Sequence, residues 1–166
     1  KTICITGSNG KTTTTLMIHH ILKKAGINVG LAGNIGESFA KQVARENYDW
    51  YVLELSSFQL DDMYEFKADI AVLLNITPDH LDRYEYKMEN YADSKFRVIQ
   101  NQTANDWFIY NYDDAVIKEG INKRNIKSQL APFSLVTELP QGGFVDNKEQ
   151  LTINIKEQFT MSIHDL

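Results

Sequence analysis

The sequence predicts an α/β fold: a mostly parallel sheet with helices on both faces, plus a small antiparallel β meander at the C-terminal end. Three observations predict it. Short apolar, β-branched runs alternate with segments of helical period through most of the chain. The runs "WYVLEL" and "DIAVLLN" are almost continuously apolar, as strands covered on both faces are. The tail changes to period-two alternation between turn residues.

In chain order, "KTICI" is the first strand and "TGSNG" breaks it. A helix begins at Lys11. Met17, Ile18, Ile21, Leu22 and Ala25 recur at three- and four-residue steps and predict one apolar face, and Gly26 stops the helix. "INVGLAG" is the second strand, Glu37 to Asn47 the second helix, "WYVLEL" the third strand and "DIAVLLN" the fourth. Lys87 to Asn101 is helical. A strand "WFIY" follows, then a helix opening at Asp113 or Asp114. In the tail "QLTINI" sets Leu151, Ile153 and Ile155 on one side, and "FTMSI" alternates again. "GGFV" and "DNKEQ" supply turn chemistry.

The bulk properties bound the function. In 166 residues, 43% hydrophobic and 23% charged, the composition is that of a folded domain and excludes a disordered chain. No apolar run approaches a membrane span. The single cysteine, Cys4, excludes an internal disulfide framework and fits a reducing compartment; within an apolar run it is expected to be buried and inert. A net charge of −5 argues against nucleic acid as a partner. The chain opens directly on a strand and stops on "FTMSIHDL" without a closing element. The expectation is one central domain, residues 1–166, excised from a longer protein.

The chemistry gathers in four places. The first is Gly7-Ser8-Asn9-Gly10-Lys11-Thr12, between a strand and a helix. Glycines let the backbone curl so that several N–H groups face one anion, and the helix N-terminus adds partial positive charge. Lys11 would supply a full charge to the phosphates and Thr12 a hydroxyl to magnesium. The usual phosphate-loop pattern has four residues between its glycines, whereas only two separate Gly7 from Gly10. The second place is Glu54, near the C-terminal end of a strand, where open α/β sheets gather ligands. A glutamate inside "YVLEL" is costly unless paired or bound to metal. The third is Asn75, Asp79, His80 and Asp82 in "NITPDHLD", where a neutral imidazole can ligate a divalent ion and the aspartates can instead cap the turn. His19, His20 and His164 are assigned to packing or solvation. The fourth is Lys95, which shares a helical stripe with Met88, Ala92 and Ile99. Such a lysine can send its head to water over a packed stem. Buried, it has a lowered pKa, and its neutral amine can take up CO₂ as a carbamate.

The loop T-G-S-N-G-K-T resembles that of the Mur ligase superfamily, ATP-dependent amide-forming ligases that include the folylpolyglutamate synthases. "N-x-x-P-D-H-L-D" resembles a signature of the same superfamily. "ELSSFQL" and "AGNIG" are similar to its D-glutamate-adding branch. The resemblance implies a P-loop-like fold, with Gly7, Ser8, Asn9, Gly10, Lys11, Thr12 and Thr13 on ATP. It implies two magnesium ions, one on Thr12 and Glu54 and one on His80 and a carbamylated Lys95. Lys11, His80 and Lys95 would be catalytic, and Asn34 would contact the nucleotide-sugar substrate. It further implies a cytoplasmic, monomeric enzyme of peptidoglycan synthesis. That enzyme joins D-glutamate to UDP-N-acetylmuramoyl-L-alanine through an acyl phosphate, with further domains before and after this one. The rival readings are another Mur ligase or a folylpolyglutamate synthase, a phosphate-loop NTPase or kinase without ligation, and a non-catalytic nucleotide-binding module.

Overall fold

In the computed structural model, which describes residues 1–165, one nine-stranded sheet organises the chain. The strands are β1 (Thr2–Thr6), β2 (Val29–Gly33), β3 (Trp50–Glu54), β4 (Ile70–Leu73), β5 (Trp107–Asn111), β6 (Gln129–Ser134), β7 (Gly142–Val145), β8 (Gln150–Asn154) and β9 (Gln158–Ser162). Their spatial order is β2-β3-β1-β4-β5-β6-β7-β8-β9. Pairing is parallel from β2 to β7 and antiparallel from β7 to β9. The expected meander is therefore present, but it extends the main sheet instead of standing apart from it.

Residues alternate across the sheet, as the pleat requires. Cys4, Leu53, Ala71, Leu73 and Phe108 face one core, and Ile3, Ile5, Val52 and Val72 face the other. The first core is covered by α2 (Phe39–Arg45), α3 (Ser57–Asp61), α4 (Met88–Phe96) and α5 (Ala115–Asn122). The second is covered by α1 (Lys11–Lys24) through Ile18 and Leu22. Cys4 is fully buried, and burial pushes its thiol up to about 12, so it is inert as expected. Among the described residues no helix is long and apolar enough to cross a membrane.

The structure corrects four local expectations. The apolar face predicted for α1 is split: Thr15, Ile18 and Leu22 turn inward, while Met17 and Ile21 are each 57% exposed. The phosphate loop sets the rotation of the helix at its first turn, where Gly10 caps it at φ 81°. Second, β6, which contains Pro132, was not among the expected strands. Pairing of β6 with β7 begins only at Phe133, so the missing N–H at Pro132 leaves no ladder bond unmade. Third, "GGFV" is strand β7 and not a turn. Gly142 at φ 110° lets the two strands meet, since a Cβ there would lie 2.0 Å from the Pro132 carbonyl oxygen. Fourth, the five-residue helix α3 begins inside "ELSSFQL" and ends at Asp61 just beyond it. A capping box starts it: Ser56 Oγ accepts from the Gln59 N–H, and Gln59 Oε1 accepts from the Ser56 N–H.

Candidate functional site

The loops that follow β1, β3 and β4 leave the same edge of the sheet, because these strands lie side by side in the order β3-β1-β4. That neighbourhood assembles the site. After β1 the chain turns through Gly7–Gly10 into α1, whose first turn carries no acidic residue to offset its positive end. The loop is held from β4's exit. Ser8 N donates to the Asn75 carbonyl at 3.0 Å, and Asn9 N donates to Asn75 Oδ1 at 2.8 Å. Asn75 Nδ2 in turn donates to the Asn9 carbonyl at 3.0 Å. Lys11 folds back over the loop and donates to the carbonyls of Gly7 (2.8 Å) and Ser8 (2.9 Å). Two neutral carbonyls are modest partners for an ammonium group, and an arriving phosphate oxygen competes for it with a full charge.

Glu54 ends β3 and is 1% exposed. Its Oε1 accepts from Asn34 Nδ2 at 2.7 Å, and its main-chain carbonyl accepts from the Asn34 N–H at 2.8 Å. Its Oε2 is buried without a partner among the described residues. A buried carboxylate oxygen left in that state is costly, so the residue fits a cation that would complete it. Asn34 reaches Glu54 because the backbone at Gly33 passes close by, at φ 104°. A Cβ there would lie 2.2 Å from the Glu54 carbonyl oxygen.

After β4, Asp79 and His80 lead into a 3₁₀ turn, Leu81–Tyr84, that His80 enters in the left-handed region at φ 47°. The His80 ring lies 3.6 Å from Asp79 Oδ2 and packs on Phe58 of α3, with centroids 5.3 Å apart. On α4, Lys95 is 2% exposed. Among the described residues its ammonium has no carboxylate within ion-pair distance; it sits 4.9 Å from the Tyr91 ring centroid. Burial, then the nearby charge of Lys11, pushes its pKa down to about 8. The helical stripe predicted for this lysine is present, with Ala92 buried and Met88 and Ile99 half-buried beside it.

One cleft of about 240 Å³ brings these groups together: Lys11, Asn34, Ser56, Ser57, Phe58, Asp79, His80, Tyr91 and Lys95 line it. Glu54 stands behind Asn34. Thr12 and Thr13 are exposed on α1 outside the cleft lining, and Asp82 is also outside it. His20 and His164 are exposed, the latter paired with Glu149 at 2.6 Å, as solvated histidines should be. Among the described residues no three His, Cys, Asp or Glu side chains converge as a metal cluster. A cation here would draw ligands from hydroxyls, phosphates and water as well as from Glu54.

Sequence reasoning missed two contributors, Tyr91 and Phe58, and the role of a third, Asn75. Tyr91 precedes Lys95 by one helical turn, and that spacing was a usable signal. Asn75 was noticed for its position, yet its clamp on the loop needs the β1–β4 pairing to be seen. Phe58 carried no sequence signal beyond being aromatic.

Comparison with known proteins adds the following. The family described as Mur ligase middle domain matches residues 5–162. A UDP-N-acetylmuramoylalanine--D-glutamate ligase of Bacteroides fragilis is 61% identical over 149 residues, covering 90% of this chain and 34% of its own length. The chain thus spans about a third of that relative. Among solved structures, a UDP-N-acetylmuramoyl-L-alanyl-D-glutamate--2,6-diaminopimelate ligase superposes with a TM-score of 0.74 at 20% identity, covering 98% of this chain and 39% of the other. A bifunctional folylpolyglutamate synthase/dihydrofolate synthase, with Mn, AMPPNP and L-glutamate bound, gives 0.64 at 15% identity, over 98% and 48%.

Proposed function

Since the chain belongs to the Mur ligase middle-domain family, we propose that residues 1–166 are the single central ATP-binding domain of a longer, three-domain ligase. That enzyme joins D-glutamate to UDP-N-acetylmuramoyl-L-alanine in cytoplasmic peptidoglycan synthesis. The observation that carries the reading is the shared cleft: the phosphate loop, Asn34 of "AGNIG", Ser56 and Ser57 of "ELSSFQL", His80 and Lys95 meet in one place. The same reading takes the enzyme to be a monomer. The identity to the Bacteroides fragilis relative favours the D-glutamate branch over other Mur ligases and the folylpolyglutamate synthases, whose shared fold does not discriminate among them.

A carboxylate oxygen is a poor leaving group, so ligation needs activation. Passing the γ-phosphoryl group to that oxygen breaks its bond to ADP and makes an acyl phosphate. The amine of D-glutamate then attacks the acyl carbon. The tetrahedral intermediate collapses to the amide, phosphate leaves with the C–O electron pair, and the amine gives up its surplus proton. In such chemistry the protein's work is alignment and charge neutralisation. Lys11 would leave the Gly7 and Ser8 carbonyls for the β- and γ-phosphate oxygens, and the N–H groups from Gly10 to Thr13 would wrap the phosphates, with the Ser8 and Asn9 N–H groups held on Asn75 to shape the loop beneath them. Magnesium, when bound, supplies further positive charge to those oxygens. Thr12 and the free Oε2 of Glu54 would hold one ion, and His80 with Lys95 a second. Lys95 suits that role as a carbamate: its neutral amine adds CO₂ and loses a proton, which replaces a buried cation with an anionic ligand. Asn34 would orient Glu54 through Nδ2 and keep Oδ1 for the nucleotide-sugar.

The test is to give the full-length protein ATP, magnesium, UDP-N-acetylmuramoyl-L-alanine and single amino acids, and to follow amide product by mass spectrometry. D-Glutamate alone should yield product. ATP hydrolysis of equal rate without any acceptor would sink the ligase reading in favour of an NTPase.

A further inference from the structure

Behind the cleft lies a hydrogen-bonded chain that none of the roles above uses. Tyr91 is 1% exposed, yet its hydroxyl sits 3.1 Å from Ser8 Oγ in the phosphate loop. Ser8 Oγ also lies 2.9 Å from the Thr77 carbonyl oxygen, and the Thr77 N–H donates to it at 3.0 Å. Proton accounting fixes the directions. A serine hydroxyl has one hydrogen and two lone pairs. A carbonyl can only accept, so the Ser8 hydrogen goes to Thr77. Both lone pairs are then filled, one by the Thr77 N–H and one by the Tyr91 O–H. Tyr91 is therefore the donor, and Ser8 Oγ is fully satisfied. Burial raises the phenol pKa, which keeps that proton in place at neutral pH.

The same ring faces the other way onto Lys95, whose nitrogen lies 4.9 Å from its centroid one helical turn along α4. A tilted aromatic contact backs Tyr91: the Tyr84 ring lies 5.2 Å away between centroids, at 55° to it. We propose that Tyr91 is a positioning residue that ties the phosphate loop to α4, so that the loop and the Lys95 side chain keep one fixed separation across the cleft. The hydroxyl holds the loop through Ser8, and the ring walls the Lys95 side chain. The consequence for nucleotide binding rests on the function proposed above; the tie itself rests on geometry.

The consequence is specific. Without the hydroxyl, Ser8 keeps its two bonds to Thr77 but loses its link to α4. The loop then samples shapes that do not fit a phosphate, and binding weakens while the core stays intact. One net hydrogen bond corresponds to about a two- to tenfold change in an equilibrium constant.

The experiment compares Tyr91→Phe, Ser8→Ala and the double variant with the parent 166-residue chain. Backbone amide hydrogen exchange is followed by NMR without ligand, and Mg-ATP affinity by titration. Tyr91→Phe should speed exchange at Ser8 and Asn9 by about two- to tenfold, with Cys4 and Ile5 unchanged, and should weaken Mg-ATP binding by a similar factor. The double variant should match Ser8→Ala, because both remove the same bond. Unchanged loop exchange in Tyr91→Phe overturns the proposal, as does a double variant whose losses multiply. If Tyr91→Phe does not fold, Ser8→Ala tests the tie from the other side: slower or unchanged exchange at Asn9 overturns it. If the parent chain binds no Mg-ATP while loop exchange still accelerates, the nucleotide reading fails and the tie stands.

Discussion

Replacing Glu54 with glutamine separates a ligand from a structural carboxylate, because the two roles predict opposite signs. Glu54 is 1% exposed; Oε1 accepts from Asn34 at 2.7 Å, and Oε2 has no partner among the described residues. Glutamine keeps the shape. Its oxygen still accepts from Asn34, and its neutral amide nitrogen takes the place of Oε2. A buried unsatisfied polar group costs about 1–3 kcal/mol, and more when charged. Glu54→Gln exchanges a charged orphan for a neutral one, so the metal-free chain should be as stable as the parent or up to about 3 kcal/mol more stable. For a chain of this size 1 kcal/mol moves the thermal midpoint by about 2–4 °C. The order should reverse with ligand. At a hundredfold excess of Mg-ATP over its Kd the parent gains about 2.7 kcal/mol, and the variant, lacking the anionic ligand, gains little. Thermal unfolding by circular dichroism, with and without Mg-ATP, reads both halves. A variant that loses more than about 1 kcal/mol in metal-free buffer, yet gains as much from Mg-ATP as the parent, would refute the assignment.

Four further outcomes are expected. Lys11→Ala should abolish Mg-ATP binding in calorimetry while leaving far-ultraviolet circular dichroism unchanged, since Lys11 bonds only loop carbonyls; retained affinity would remove it from the site. Lys95→Arg should be inactive in the full-length enzyme and show no carbamate signal with ¹³CO₂ by NMR, because arginine stays protonated; full activity would leave Lys95 only a cationic role. In CO₂-free buffer, Lys95→Met should abolish one pH effect. With a folded pKa of about 8 against an ordinary 10.5, the folded state holds fewer protons than the unfolded state between those values. The parent should thus gain about 3 kcal/mol over the methionine variant as pH rises through that window, and lose it again as pH falls to 8; a flat difference in urea midpoints would contradict this. The isolated 166-residue chain should form no amide product by mass spectrometry, because positioning of carboxylate and amine is worth about 7–11 kcal/mol of barrier; a rate equal to the full-length enzyme's would contradict the domain assignment.

Much of this molecule was legible in one dimension. Continuous apolar runs marked β3 and β4, and a glycine turn between strand and helix marked the phosphate loop. The spacing of Met88, Ala92, Lys95 and Ile99 set Lys95 on an apolar stripe, though only packing decided that its head is buried as well. These are local signals, set by the two-residue pleat and the helical turn, and a sequence carries them without reference to anything distant. Local signals failed where a neighbour in space overrode them. Leu16, Met17 and Ile21 lie exposed because the loop, not the apolar pattern, sets the rotation of α1. Pro132 was no obstacle to β6 because β7 pairs one residue later, and the glycines of "GGFV" serve close strand approach instead of a turn. The tertiary structure alone decided that Asn34 bonds Glu54, that Asn75 clamps Asn9, and that Tyr91 reaches Ser8 across 83 residues of chain. The first follows from β2 pairing with β3 and the second from β1 lying beside β4, in the strand order β2-β3-β1-β4, over which α4 packs. That order is a global choice among crossovers, made by the burial of two sheet faces at once, and no window of sequence contains it.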